Sequence, residues 1–214
     1  MIEPPACVLF TIGVAIMLVA AEKEGLAMVR NDRDIGDLPR EWWAKCILAG
    51  LIGGGAMILY LMGSFASRGA WFPVNAIGAT LPAFRPFGYS IPPSGAFVPG
   101  PSLFGLGVHF VLSALWAVLL GIALAAFVPG HVRSPLWATL GGLLWGALLW
   151  VFSGLMLVRA LDPFVVVNLA STSQYLIGHL IYGVVTAWVI ALTARRQDLT
   201  IMFAPEERPV ARKP

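Results

Sequence analysis

Five apolar runs, at about 5–21, 43–66, 102–128, 135–158 and 172–194, constrain this chain more than any other feature. A hydrocarbon layer about 30 Å thick is crossed by about 20 helical residues. Four of the runs meet that length. Lipid offers no water to backbone N–H and C=O groups, so such a run folds as a helix that satisfies them internally. Hydrophobic residues fill 58% of the 214 positions and charged residues only 12%, more apolar surface than a water-soluble core of this size requires. The fold expected is all-α and integral to the membrane, with five transmembrane helices. The first run is the shortest, and Val19-Ala20-Ala21 resembles a signal-peptide cleavage site. Yet the preceding MIEPPA carries an acid and no Lys or Arg, where a signal peptide has a positive start. The run reads as a span, with an interfacial helix as the alternative.

The basic residues orient these spans. Lys23, Arg30, Arg33, Arg40 and Lys45 lie between the first two runs, Arg133 lies in the short PGHVRS connection, and Arg195, Arg196, Arg208, Arg212 and Lys213 lie in the tail. Only Arg68, Arg85 and Arg159 fall on the other side. The positive-inside rule counts Lys and Arg and is nearly indifferent to acids, so the N-terminus is expected outside and the C-terminus in the cytoplasm. The expected divisions are a first span with a charged cytoplasmic segment at 1–46, a four-helix membrane core at 47–194 with a long external loop at 65–101, and a cytoplasmic tail at 195–214. Cys7 and Cys46 then fall near opposite faces of the bilayer, too far apart for a disulfide. The net charge of +3 has this topological explanation and gives no reason to expect nucleic acid as a partner.

An internal repeat organises the core. GAMILYLMG (55–63) lies over GALLWVFSG (146–154), VNAIGAT (74–80) over VNLASTS (167–173), and HFVLSALWAVLLG (109–121) over HLIYGVVTAWVIA (179–191). The order is the same both times, so the second and third spans are expected to duplicate as the fourth and fifth, giving two parallel hairpins with the first span added. Helix-packing glycines are expected at Gly55, Gly63, Gly146 and Gly154.

The repeat makes His109 and His179 equivalents. Four-residue steps below them give Ser113, Ala117 and Gly121 in one helix and Gly183, Ala187 and Ala191 in the other. Small residues on one face let membrane helices approach closely, which turns both histidines toward the bundle. Two imidazoles at one depth fit a bis-histidine haem b or a metal. They fit equally a neutral, packed pair bonded to a backbone carbonyl, to a hydroxyl such as that of Tyr182, or to an Asn from an external connection. With no carboxylate in the span interiors and no third ligand, packing is the reading the residues favour, and no metal is expected. Asn75 and Asn168 complete the candidate buried polar or ligand site. His131 reads as solvent-exposed.

Other chemistry is weakly supported. No span carries Asp, Glu, Lys or Arg in its middle, so the usual charge of a proton relay, voltage sensor or ion-coupled carrier is missing. Arg159 and Asp162 read as an interfacial salt bridge or a lipid anchor. Neither a P-loop nor a G-x-S-x-G motif occurs, and no catalytic residues are expected. The 65–101 loop is rich in Pro, Gly and aromatics, unlike a disordered linker. Trp71, Phe72, Phe84, Phe87, Tyr89 and Phe97 are expected to anchor it at the membrane interface, to dock another subunit, or to form a lid.

The G-rich hairpin, FPVNAIGA, H-x-x-x-S-x-L-W-A, LWGALLW, the DP after the fourth span and GHLIYG together resemble the YagU-like bacterial inner-membrane proteins, over about residues 47–192. The resemblance implies a four-span α-helical core in a bacterial inner membrane and carries no reaction or catalytic residue with it. The N-terminal span and its charged segment depart from the shorter four-helix members. The expected function is that of a non-catalytic accessory or structural subunit of a larger membrane complex, respiratory or otherwise redox, with other integral subunits as partners and lipids bound. A small transporter or channel built on the two hairpins, with a polar path near Asn75, Asn168, His109 and His179, is the alternative, and intrinsic haem binding the third reading.

Overall fold

A computed structural model of the chain divides into two compact units, Met1–Gly36 and Asp37–Pro214. The structure describes residues 40–80, 95–127, 134–153 and 172–193, all in the second unit. The first apolar run, the tail, Asn168, Gly154, Phe84, Phe87 and Tyr89 lie outside them.

Helix accounts for 91% of the described residues, with no strand among them. The elements are α1 (Arg40–Ser64), a 3-10 turn (Ala66–Arg68), α2 (Phe72–Thr80), α3 (Pro99–Phe127), α4 (Pro135–Trp150, continued by a π-turn at 151–153) and α5 (Ser173–Thr193). Four of these, α1, α3, α4 with its extension, and α5, are long and apolar enough to cross a membrane. The chain is thus a multi-pass membrane protein, and its widely exposed Leu59, Val111, Leu136 and Leu192 are the side chains such helices turn to lipid.

Local chemistry sets the helix starts. Pro135 follows the extended Ser134, in the first turn, where a missing N–H costs nothing and the fixed φ suits a helix. Pro99 and Pro101 occupy the first turn of α3 in the same way. Within that turn the Ser102 hydroxyl reaches back to accept the Val98 N–H at 2.9 Å, as the side chain of a capping box does.

Neighbouring α1 and α3 pack together, as do α4 and α5, and α1 also packs along α5. Two apolar layers fill the interior. One gathers Met57, Leu61, Phe65, Phe72, Ala76, Leu149, Tyr175 and Tyr182. The other gathers Trp42, Cys46, Ala49, Leu120, Leu124, Ala138, Ala187 and Ile190. On the remaining side of the bundle Trp116 of α3 meets Trp145 and Phe152 of the α4 segment edge-on, with centroids 6.4 and 5.3 Å apart.

The stretch expected as one long external loop is partly a built element. Gly69, at φ 97°, takes the left-handed turn that only glycine adopts without strain, and its backbone lies against Gly95. Trp71 N–H then bonds Gly95 O at 3.2 Å. Beyond it α2 is a short apolar helix lying along α3, where Gly78 faces Pro101 and Gly105 faces Val74 so closely that a Cβ on either glycine would strike backbone. Phe72, one of the expected docking aromatics, is buried and pairs with Phe65 at 5.7 Å. It belongs to the core because the helix it starts is inserted among the spans. Trp71 and the exposed Phe97 make an edge-on pair at 4.8 Å.

Candidate functional site: the histidine and small-residue layer

Both histidines face the interior, 8% and 6% exposed for His109 and His179, and each is held by the helix preceding it in the bundle. His109 Nε2 lies 2.9 Å from the Gly54 carbonyl of α1. A carbonyl only accepts, so this nitrogen carries the proton. His179 Nδ1 donates to Tyr175 O, one turn earlier on α5, at 2.9 Å, and Nε2 meets the Ser153 hydroxyl of the π-turn at 2.9 Å. Tyr175 stacks edge-on against the ring at 4.4 Å. The Tyr182 hydroxyl, one candidate partner for a histidine, instead donates to Ser113 O at 2.6 Å, tying α5 to α3.

Glycines bring these helices within reach. A Cβ on Gly50 would lie 2.5 Å from Ser113 O and 2.7 Å from Ala117 Cβ, and one on Gly54 would lie 2.6 Å from Ser113 Oγ. In the other helix pair Gly142 faces the backbone of Gly183 and Val184, and Gly146 faces that of His179 and Leu180. Gly121 sits on the Cys46 sulfur, and Gly53 admits Thr186 of α5. Small-residue contact of this kind is how helices associate where lipid removes the hydrophobic drive between them.

The sequence-predicted residues distribute unevenly over this layer. Ser113, Ala117, Gly121, Gly146, Gly183 and Ala187 lie at buried contacts between helices. Gly55 and Gly63 do not: an added Cβ at either meets nothing within 4 Å. Their places in α1 are taken by Gly50, Gly53 and Gly54, because the face toward α3 and α5 runs through those three. Asn75 lies away from the histidines. Its Nδ2 donates to Ala96 O at 2.8 Å and its Oδ1 accepts the Ser102 hydroxyl at 2.6 Å, which pins α2 to the start of α3. Ser153, Ser102, Gly50, Gly53 and Gly142 were not singled out from the sequence. For the glycines a signal existed, the four-residue spacing of Gly50-Gly54 and Gly142-Gly146. For Ser102 and Ser153 none did.

Chemically, the layer offers imidazole, hydroxyl and carbonyl groups without a carboxylate. Among the described residues no group of three or more His, Cys, Asp or Glu side chains is placed to hold a metal ion, and Cys46 is buried and unpaired. No family model, curated protein or solved structure matches the chain.

Proposed function

We propose that this protein is a non-catalytic accessory subunit of a larger respiratory or other redox membrane complex in a bacterial inner membrane, akin to the YagU-like proteins. One observation carries the reading. The Nε2 atoms of His109 and His179, the nitrogens that would reach for a haem iron, are directed at Gly54 O and Ser153 Oγ of neighbouring helices. The polar groups of the interior act as ties between spans, as expected of a scaffold. Purification from native membranes in mild detergent tests this. Stoichiometric co-elution with haem-bearing subunits is the expected result. An isolated homo-oligomer that carries a solute across vesicles would instead establish the transporter, and a Soret band on the isolated chain, lost when both histidines are replaced, would establish intrinsic haem.

The core is further read as a duplicated hairpin with an external N-terminus and a cytoplasmic C-terminus. Supporting the duplication, Gly50 meets residues 113 and 114 as Gly142 meets residues 183 and 184, with His109 and His179 each one turn before those contacts. This sets GLIGG (50–54) over GLLWG (142–146), one residue off the Gly55-to-Gly146 register suggested by the sequence. At the same register Gly53, against Thr186, corresponds to Trp145, against Trp116. One seam closes on a glycine while its counterpart is filled by two indoles. Tags on the two termini, probed from either side of the membrane, report the orientation.

A further inference from the structure

We propose that His179, Ser153 and Leu149 form a proton-binding site at the end of α4, with the Ser153 oxygen as the acceptor that receives the bound proton. Three close contacts run in a line: Tyr175 O to His179 Nδ1 at 2.9 Å, His179 Nε2 to Ser153 Oγ at 2.9 Å, and Ser153 Oγ to Leu149 O at 2.6 Å. Carbonyl oxygens close both ends, and neither can donate. Three contacts need three hydrogens. A neutral imidazole brings one and the serine brings one, so one contact is left without a hydrogen in every neutral arrangement. The Tyr175 phenol also interacts with Ser153, but it adds one hydrogen along with one contact and leaves the deficit unchanged.

Binding a proton removes the deficit. In the neutral state Nδ1–H donates to Tyr175 O and Ser153 O–H donates to Leu149 O, so the Nε2 and Ser153 Oγ lone pairs face each other at 2.9 Å with no hydrogen between them. The Nε2 lone pair takes a proton from water, and Nε2–H then donates to the serine oxygen while the serine hydrogen stays on Leu149 O. No heavy atom has to move. Ser153 is half-buried and lies in the π-turn. π-Turns within α-helices recur at functional positions, and this one holds a hydroxyl that donates to Leu149 O with its oxygen beside His179 Nε2.

Among the described residues, His109 is the titratable side chain that acts electrostatically on His179. From α3 the titratable neighbour is His109, whose Nε2 proton is committed to Gly54 O. From α1 it is Tyr60, at the edge of the apolar layer that contains Tyr175. On α5 itself are Tyr175 and Tyr182, and the α4 segment 135–153 has no titratable side chain. Arg68 lies over the Phe65 and Phe72 rings beyond that layer. The bound proton is therefore met by oriented carbonyl and hydroxyl dipoles, with His109 the titratable group that acts on it.

Nitrogen-15 NMR of the full chain in lipid bilayers, labelled at its three histidines and assigned with His109→Gln, His131→Gln and His179→Gln, reads the site directly. At neutral pH His179 should carry hydrogen on Nδ1 only, and on acidification on both nitrogens. Ser153→Ala should weaken proton binding about tenfold, one pH unit on the transition, whereas Ser153→Thr, which keeps the hydroxyl, should leave it in place. The proposal is overturned if the neutral ring holds its hydrogen on Nε2, if Nε2 stays bare at every pH at which the protein remains folded, or if Ser153→Ala takes up the proton as readily as the parent. Should the alanine variant not fold, the tautomer and acid spectra of the parent chain still decide.

Discussion

Glycine is the residue whose role here depends most on its neighbours. Gly146 and Gly183 lie against the backbone of the facing helix, where a Cβ has no flexible side chain to displace. Gly183→Ala should therefore push α4 and α5 apart and cost about 1–3 kcal/mol, the range for overpacking, seen as a lower unfolding midpoint in mixed micelles. Gly55→Ala and Gly63→Ala meet open space, and alanine loses less backbone entropy in a helix. They should be neutral or stabilising by up to about 1 kcal/mol. If all these substitutions destabilised alike, close approach would not be what distinguishes the positions. The sequence shows many glycines in the spans, but which of them carry contact depends on the angular setting of α1. A helix with apolar residues on every face does not declare that setting.

At the scale of elements, α2 shows what periodicity and length leave out. Its nine residues are too few for a span, and their Pro and Gly content reads as loop, yet α2 is inserted against α3 with most of its side chains buried. Among the ties that hold it is the bond between Asn75 and Ser102, 27 positions apart in the chain. Replacing either partner removes a buried hydrogen bond, at about 1–3 kcal/mol, while a remaining Asn75 keeps its bond to Ala96 O and a remaining Ser102 its bond from the Val98 N–H. The double variant Asn75→Leu with Ser102→Ala should cost less than the sum of the singles, with a coupling of about 0.5–3 kcal/mol. A double-mutant cycle on reversible unfolding in detergent checks this, and strict additivity would mean that the two side chains do not act together. Asn75 was legible as a polar residue in an apolar setting. Its partner was not, since a serine in the first turn of a span is unremarkable until another helix is laid against it.

For the whole molecule, lipid is the solvent that the exposed apolar side chains require. Val111 is 69% exposed and Ala117, six positions on in the same helix, fully buried. An arginine at Val111 should raise the cost of inserting this span by about 2.5–3.5 kcal/mol, lowering the integrated fraction in a membrane-insertion assay, whereas Val111→Leu should be neutral. Equal insertion of the arginine variant would mean that this face borders water or another chain. Composition and run length determined the class of the molecule: 58% hydrophobic residues in long uninterrupted stretches dictate helices in a bilayer, because each stretch satisfies its own backbone. They also marked two histidines as out of place in such stretches. Only the tertiary structure decided what those imidazoles touch, which glycines join the helices, and that part of a proline-rich connection enters the core. These follow from helix rotation and depth, fixed by contacts between residues distant in the chain, and a sequence apolar on all faces encodes them only through the way its small residues fit together.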